Sequence, residues 1–118
     1  MGVKAIRGAI TVDENTKEAI LRETSSLLSE IIKINALCPE EIVFILFTAT
    51  EDLTAEFPAV AARSMGLRKV PVICARELSV DNSLPMTVRV LVLIDTGKEN
   101  KEVRHVYLKD AKKLRDDL

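Results

Sequence analysis

A chain of 118 residues that is 47% hydrophobic and 30% charged suits one domain with a real core and excludes native disorder. A net charge of −1 and 3% aromatic content supply neither a basic face for nucleic acid nor a stacking platform for its bases. No apolar run can span a bilayer, no signal-peptide pattern opens the chain, and Cys38 and Cys74 suit neither a metal pair nor a disulfide framework, so a cytoplasmic protein with free thiols is expected.

From Val3 to Val12, alternation places Val3, Ala5, Arg7 and Ala9 on one strand face and Lys4, Ile6, Gly8 and Ile10 on the other. Asn15 reads as a helix N-cap, with Glu18 completing a capping box. Ile20, Leu21, Leu27, Leu28, Ile31 and Ile32 then recur at the spacing of an amphipathic helix. After a turn at CPEE, Ile42 to Glu51 is apolar on both faces, which predicts a strand in the middle of a sheet, covered on each side. FPAVAARSMG predicts a short helix with Pro58 at its first position and Gly66 as its stop. VPVICA is a short strand, SVDNSLP a loop, Met86 to Asp95 a strand, GKEN a turn and VRHVYL a last strand. KDAKKLRDDL is a charged tail, helical or ordered only by contact.

The sum is an α+β domain over 1–118, a single sheet of about five strands with one long helix. One helix cannot cover both faces of such a sheet. The simplest remaining cover is further copies of the chain, so a homo-oligomer is expected.

Two permanent cations interrupt strands. Arg89 shares a face with Thr87, Leu91 and Leu93, and Arg7 sits among small and apolar residues. Together they suggest one anion-binding site. Taken singly, each polar residue also has an ordinary structural reading. Arg89 could lie over apolar neighbours, Arg7 could be a strand-edge cation, and Glu77 a strand-end acid. Cys74 could be a small buried hydrophobe, and Tyr107 and His105, which share a strand parity, could be structural. No nucleophile–base triad, phosphate loop or metal-ligand spacing is present in the sequence.

The combination is more informative. IRGAITV, TATEDLTAEFPAVAAR, VPVICARELSV, MTVRVLV and VRHVYLKDAKKLR run from Ile6 to Arg115. In order and spacing they resemble the small monofunctional chorismate mutases of the Bacillus type. The strand-rich pattern excludes the all-helical family of the same activity. The resemblance implies a homotrimer with a mixed sheet in each subunit, a barrel-like core, helices outside, and active sites at the subunit interfaces. The implied reaction is the Claisen rearrangement of chorismate to prephenate on the route to phenylalanine and tyrosine, with no cofactor and no metal.

Residue by residue, the resemblance casts Arg89 as donor to the ether oxygen and Arg7 as partner of a substrate carboxylate, assisted by Tyr107. Glu77 would accept the ring hydroxyl, with Cys74 beside it. Phe57, Ala59 and Arg63 would come from the neighbouring subunit, Val72, Ile73 and Leu114 would line the pocket, and Arg115 would belong to a mobile tail, about 108–118, that closes over the ligand. Cys74 and Glu77 are three apart, so a bulge or turn between them is expected. Val60 departs from relatives that carry a lysine there, which weakens the expected hold on the second carboxylate. Two alternatives remain at the level of sequence: a non-catalytic trimeric metabolite-binding or regulatory protein, and an imine-hydrolysing trimer on the same scaffold.

Overall fold

Along the chain come β1 (Gly2–Thr11), α1 (Lys17–Ile34), β2 (Ile42–Ala49), α2 (Ala59–Ser64), β3 (Val72–Arg76), β4 (Thr87–Thr96) and β5 (Val106–Leu108). A 3-10 turn at Pro39–Glu41 precedes β2, and a 3-10 helix at Lys109–Arg115 follows β5. The computed structural model describes residues 2–98 and 100–115, and of Arg115 the backbone alone. The five strands form one sheet in the order β3-β2-β4-β1-β5. β4 is antiparallel to β1 and β2, while β3 runs parallel to β2 and β5 parallel to β1. The sheet is therefore mixed. β2 lies inside it, as its two-faced apolarity predicts, but β4 holds the centre.

One face of the sheet meets the helices. Ile6 and Ile10 of β1, Ile45 and Phe47 of β2, and Val88, Val92 and Ile94 of β4 pack with Ile20, Leu27, Leu28 and Ile31 of α1 in one buried cluster. Each such side chain contributes roughly 1.5–3 kcal/mol on burial. Gly8 permits the close approach of α1 and β5. A Cβ there would stand 2.9 Å from Ile31 Cδ1, 3.0 Å from the Val106 carbonyl oxygen and 3.1 Å from Val90 Cγ1. On the opposite face the 3-10 helix at Lys109–Arg115 covers the β1–β5 end, where Ala9, Tyr107 and Ala111 are buried together. Val3 and Ile73 on that side are 64% and 66% exposed.

Local capping differs from expectation. Thr16, not Asn15, is the N-cap of α1, its Oγ1 accepting the Ala19 N–H at 3.1 Å. Asn15 instead ties a loop: its Oδ1 accepts the N–H groups of Thr54 and Ala55 at 2.9 and 3.0 Å, and its Nδ2 donates to Thr54 Oγ1 at 2.8 Å. Either residue type can cap a helix. The tertiary demand of the 50–55 loop decides between them. The stop at Gly66 is as expected, with φ of +89° where L side chains are strained, and Pro58 takes the N-cap position, one place before the first helical residue.

The last strand is shorter than VRHVYL. Asn35 at the end of α1 takes over the Arg104 backbone, accepting its N–H at 2.7 Å and donating to its carbonyl at 3.0 Å. His105 Nδ1 accepts the Arg7 N–H at 2.9 Å. Side chains thus satisfy groups that a longer ladder would use. Among the described residues no helix is long and apolar enough to cross a membrane.

Candidate active site

Strand register assembles the site on the face opposite the helices. Across the sheet, Ala75 of β3 stands beside Thr48 of β2, Thr48 opposite Arg89 of β4, Arg89 opposite Ala9 of β1, and Ala9 beside Tyr107 of β5. Ala9 itself is buried beneath Tyr107 and Ala111. In the next row Arg7 stands opposite Leu91. The two arginines are thus diagonal neighbours, a relation that separates backbone positions by about 7–8 Å. A cleft of about 430 Å³ opens here, and Arg7, Glu77, Arg89, Tyr107 and Leu114 all line it.

Arg89 is held from one side. Its Nε pairs with Glu77 Oε2 at 3.0 Å, the two side chains being 46% and 23% exposed. Thr48 Oγ1 donates to the same Oε2 at 2.9 Å. Glu77 Oε1 accepts the Leu78 N–H at 3.2 Å, and the Glu77 N–H donates to the Ala49 carbonyl at 2.9 Å. A half-exposed ion pair of this kind adds no more than about 1 kcal/mol to stability. Its larger effect is on orientation: the carboxylate beside Nε restrains the planar fork within the cleft that Arg7 also lines.

A second depression, about 360 Å³, holds other expected residues. Phe57 and Cys74 line it with Ala49, Pro58 and Arg76. Phe57 is 67% exposed. The Cys74 thiol is pushed above its ordinary range by burial, an effect partly offset by a hydrogen bond from the Ala59 backbone. Arg63 is exposed at the end of α2, and Val60 is half-buried on the same helix. Val72 packs against the core, while Ile73 points to the open face of the sheet. The expected Arg115 side chain lies outside the described residues, as do residues 116–118 of the tail.

The expected bulge between Cys74 and Glu77 is absent. β3 pairs with β2 in unbroken register from Val72 to Arg76, and the Glu77 N–H continues that ladder. Regular alternation therefore sends Cys74 to the helix face beside Phe47, and Glu77 to the face of Arg89. Within one chain the two do not share a pocket.

Sequence reasoning missed Thr48, because a β-branched residue in an apolar run reads as an ordinary strand former. It also missed Lys109. That residue turns the chain out of β5 with φ of +55°, and its Nζ bridges Glu23 at 2.9 Å and Asp13 at 3.1 Å. These two contacts, Glu23 first, raise the ammonium pKa above its ordinary value. Among the described residues no group of three or more His, Cys, Asp or Glu side chains is arranged to hold a metal ion.

A guanidinium pair, one oriented by a carboxylate, in a cleft with an aromatic wall is equipped to bind a small anion and to meet negative charge that develops on it. Comparison with known proteins agrees in kind. Residues 3–118 match the family described as chorismate mutase type I. A chorismate mutase AroH of Thermus thermophilus is 50% identical over 117 residues, spanning 98% of this chain and 96% of that protein. The chorismate mutase AroH of Bacillus subtilis (strain 168) is 43% identical over 119 residues, spanning 100% of this chain and 94% of that protein. Among solved structures, a chorismate mutase from Clostridium thermocellum superposes with a TM-score of 0.89 at 45% identity, covering 92% of this chain and 97% of that one.

Proposed function

The chain belongs to the type I chorismate mutase family, and from that premise we propose how its residues carry the rearrangement of chorismate to prephenate. The reaction is unimolecular: a carbon–oxygen bond breaks as a carbon–carbon bond forms, and no proton needs to move. The site must hold a flexible dianion in its compact reactive conformer and place a fixed donor where the ether oxygen gains negative charge. Arg89 is that donor. Arg7, with Tyr107 beside it, takes a substrate carboxylate, and Glu77 takes the ring hydroxyl and faces the positive character that grows on the ring. The observation that carries this reading is the Arg89–Glu77 contact at 3.0 Å in a cleft that also holds Arg7.

The site is completed between copies of the chain in a homotrimer. Two features support this. The sheet face around the cleft is covered by its own 3-10 helix at the β1–β5 end but leaves Ile73 exposed at the other edge. The remaining expected residues, Phe57, Ala59, Arg63 and Cys74, gather around the second depression and α2, where a neighbour's cleft can be closed by them. Val72, Ile73 and Leu114 then serve as apolar lining, and the tail with Arg115 closes over the ligand. Such a biosynthetic enzyme acts in the cytoplasm. A non-catalytic binder or an imine-hydrolysing trimer is not favoured, since the family and both curated relatives are chorismate mutases.

Incubation with chorismate, followed by loss of its ultraviolet absorbance, tests the reading. Turnover is expected, with a rate nearly flat from about pH 6 to 9 and little solvent isotope effect, because no proton transfer is involved. Binding without turnover, or a sharp bell in that range, contradicts it.

A further inference from the structure

We propose that Thr48 is a positioning residue for this reaction: its hydroxyl fixes Glu77, and through Glu77 the guanidinium of Arg89. The inference rests on the reading of Arg89 as the donor and extends it to a residue outside the set that the resemblance implies.

Glu77 lies one residue past the end of β3, so the strand fixes its backbone but not its carboxylate. Two groups converge on Oε2: the Thr48 hydroxyl donates to it at 2.9 Å, and Arg89 Nε forms an ion pair with it at 3.0 Å. Sheet register places the first of them. Thr48 stands directly opposite Arg89 on β4 and directly beside Ala75 on β3, two residues before Glu77. The hydroxyl therefore projects from rigid backbone between the two charged side chains. Without it, the only side-chain anchor left on the carboxylate is Arg89 itself, a long side chain with 46% exposure. The one remaining backbone contact to the carboxylate, from the Leu78 N–H to Oε1 at 3.2 Å, engages the other oxygen and lies next to Glu77 in the chain, so Oε2 and the guanidinium beside it would lose their fixed reference on the sheet. Charge-assisted hydrogen bonds to an ionised acceptor are about twice as strong as neutral ones, so a hydroxyl is well suited to setting this carboxylate. Valine matches threonine in shape and strand preference but lacks the donor, which makes it the discriminating substitution.

Thr48→Val, Thr48→Ser, Glu77→Gln, the Thr48→Val/Glu77→Gln double variant and Arg89→Ala are compared by steady-state chorismate turnover. Thr48→Val is expected to lower kcat about tenfold with KM changed less than about twofold, and Thr48→Ser to recover kcat to within about threefold of the parent. Because Thr48 acts through Glu77, Thr48→Val should cost less than about twofold when added to Glu77→Gln, a non-additivity that independent residues do not show. Parental kcat in Thr48→Val, a serine variant as slow as the valine one, or full multiplication of the two defects overturns the inference. Arg89→Ala separates the two levels. If it is severely slowed while Thr48→Val is not, only the role of Thr48 falls. If it keeps parental kcat, the reading of the site falls, and this inference with it.

Discussion

Arg7 and Arg89 are two residues out of step across the β1–β4 pair; the face each occupies was legible from sequence, the register that brings them together was not. Strict alternation in both strands puts each cation on the face away from the buried isoleucines and valines. The same rule places Glu77 with them and Cys74 on the other face, so the expectation of a bulge failed by overriding a period that holds. Cys74 gives a chemical check on this geometry. Burial raises its thiol pKa and lowers the thiolate fraction on which reactivity depends, whereas Cys38 is exposed. Iodoacetamide near pH 8, read by peptide mass spectrometry, is expected to modify Cys38 well before Cys74; equal rates would contradict the burial. Arg63, exposed on α2, is predicted to act on binding. Arg63→Ala should raise KM severalfold and leave kcat within about twofold, and a variant with altered kcat and parental KM would contradict that role.

At the scale of elements, α1 and the strands were legible because their apolar periods are long, whereas the ends of elements were not. Thr16 replaces Asn15 as the cap, and Asn35 shortens β5, because distant backbone groups compete for those side chains. The tail shows the same limit. In KDAKKLRDDL nothing marks Lys109 off from its charged neighbours, yet among the described residues it alone bridges Asp13 and Glu23 and fastens the 3-10 helix beside β1. Its folded pKa is raised, so its stabilisation is complete below the ordinary lysine value near 10.4 and is lost as pH rises through the folded value. Lys109→Met is expected to cost about 1 kcal/mol at neutral pH, a figure already reduced for solvent screening. Its signature is faster amide exchange over residues 109–115, with the difference from the parent shrinking in high salt and vanishing in strong alkali. A difference that persists above the titration would show that packing, not the ammonium, holds the segment.

For the whole molecule, one face of the sheet is covered by α1 and α2, and the other, covered by the 3-10 helix at one end, carries Arg7, Glu77 and Arg89. The sequence showed that cover was missing, since a strand such as Ile42–Ala49 is apolar on both sides; it could not show which residues meet across the gap, because no period within a chain encodes a neighbour. Light scattering is expected to give the mass of three chains, and a monomer with full activity would remove the role proposed for the second depression. The central claim concerns Arg89 within that assembly. Unit charges about 4 Å apart interact by about 4 kcal/mol at an effective dielectric of 20, and each 1.36 kcal/mol is a factor of ten in rate, so partial charge beside one fixed guanidinium supplies on the order of two to three decades. The most direct test is steady-state kinetics of Arg89→Ala, with its mass confirmed as parental. The account predicts kcat lowered at least about a hundredfold with KM changed only a few fold; a parental kcat with all of the loss in KM would contradict it.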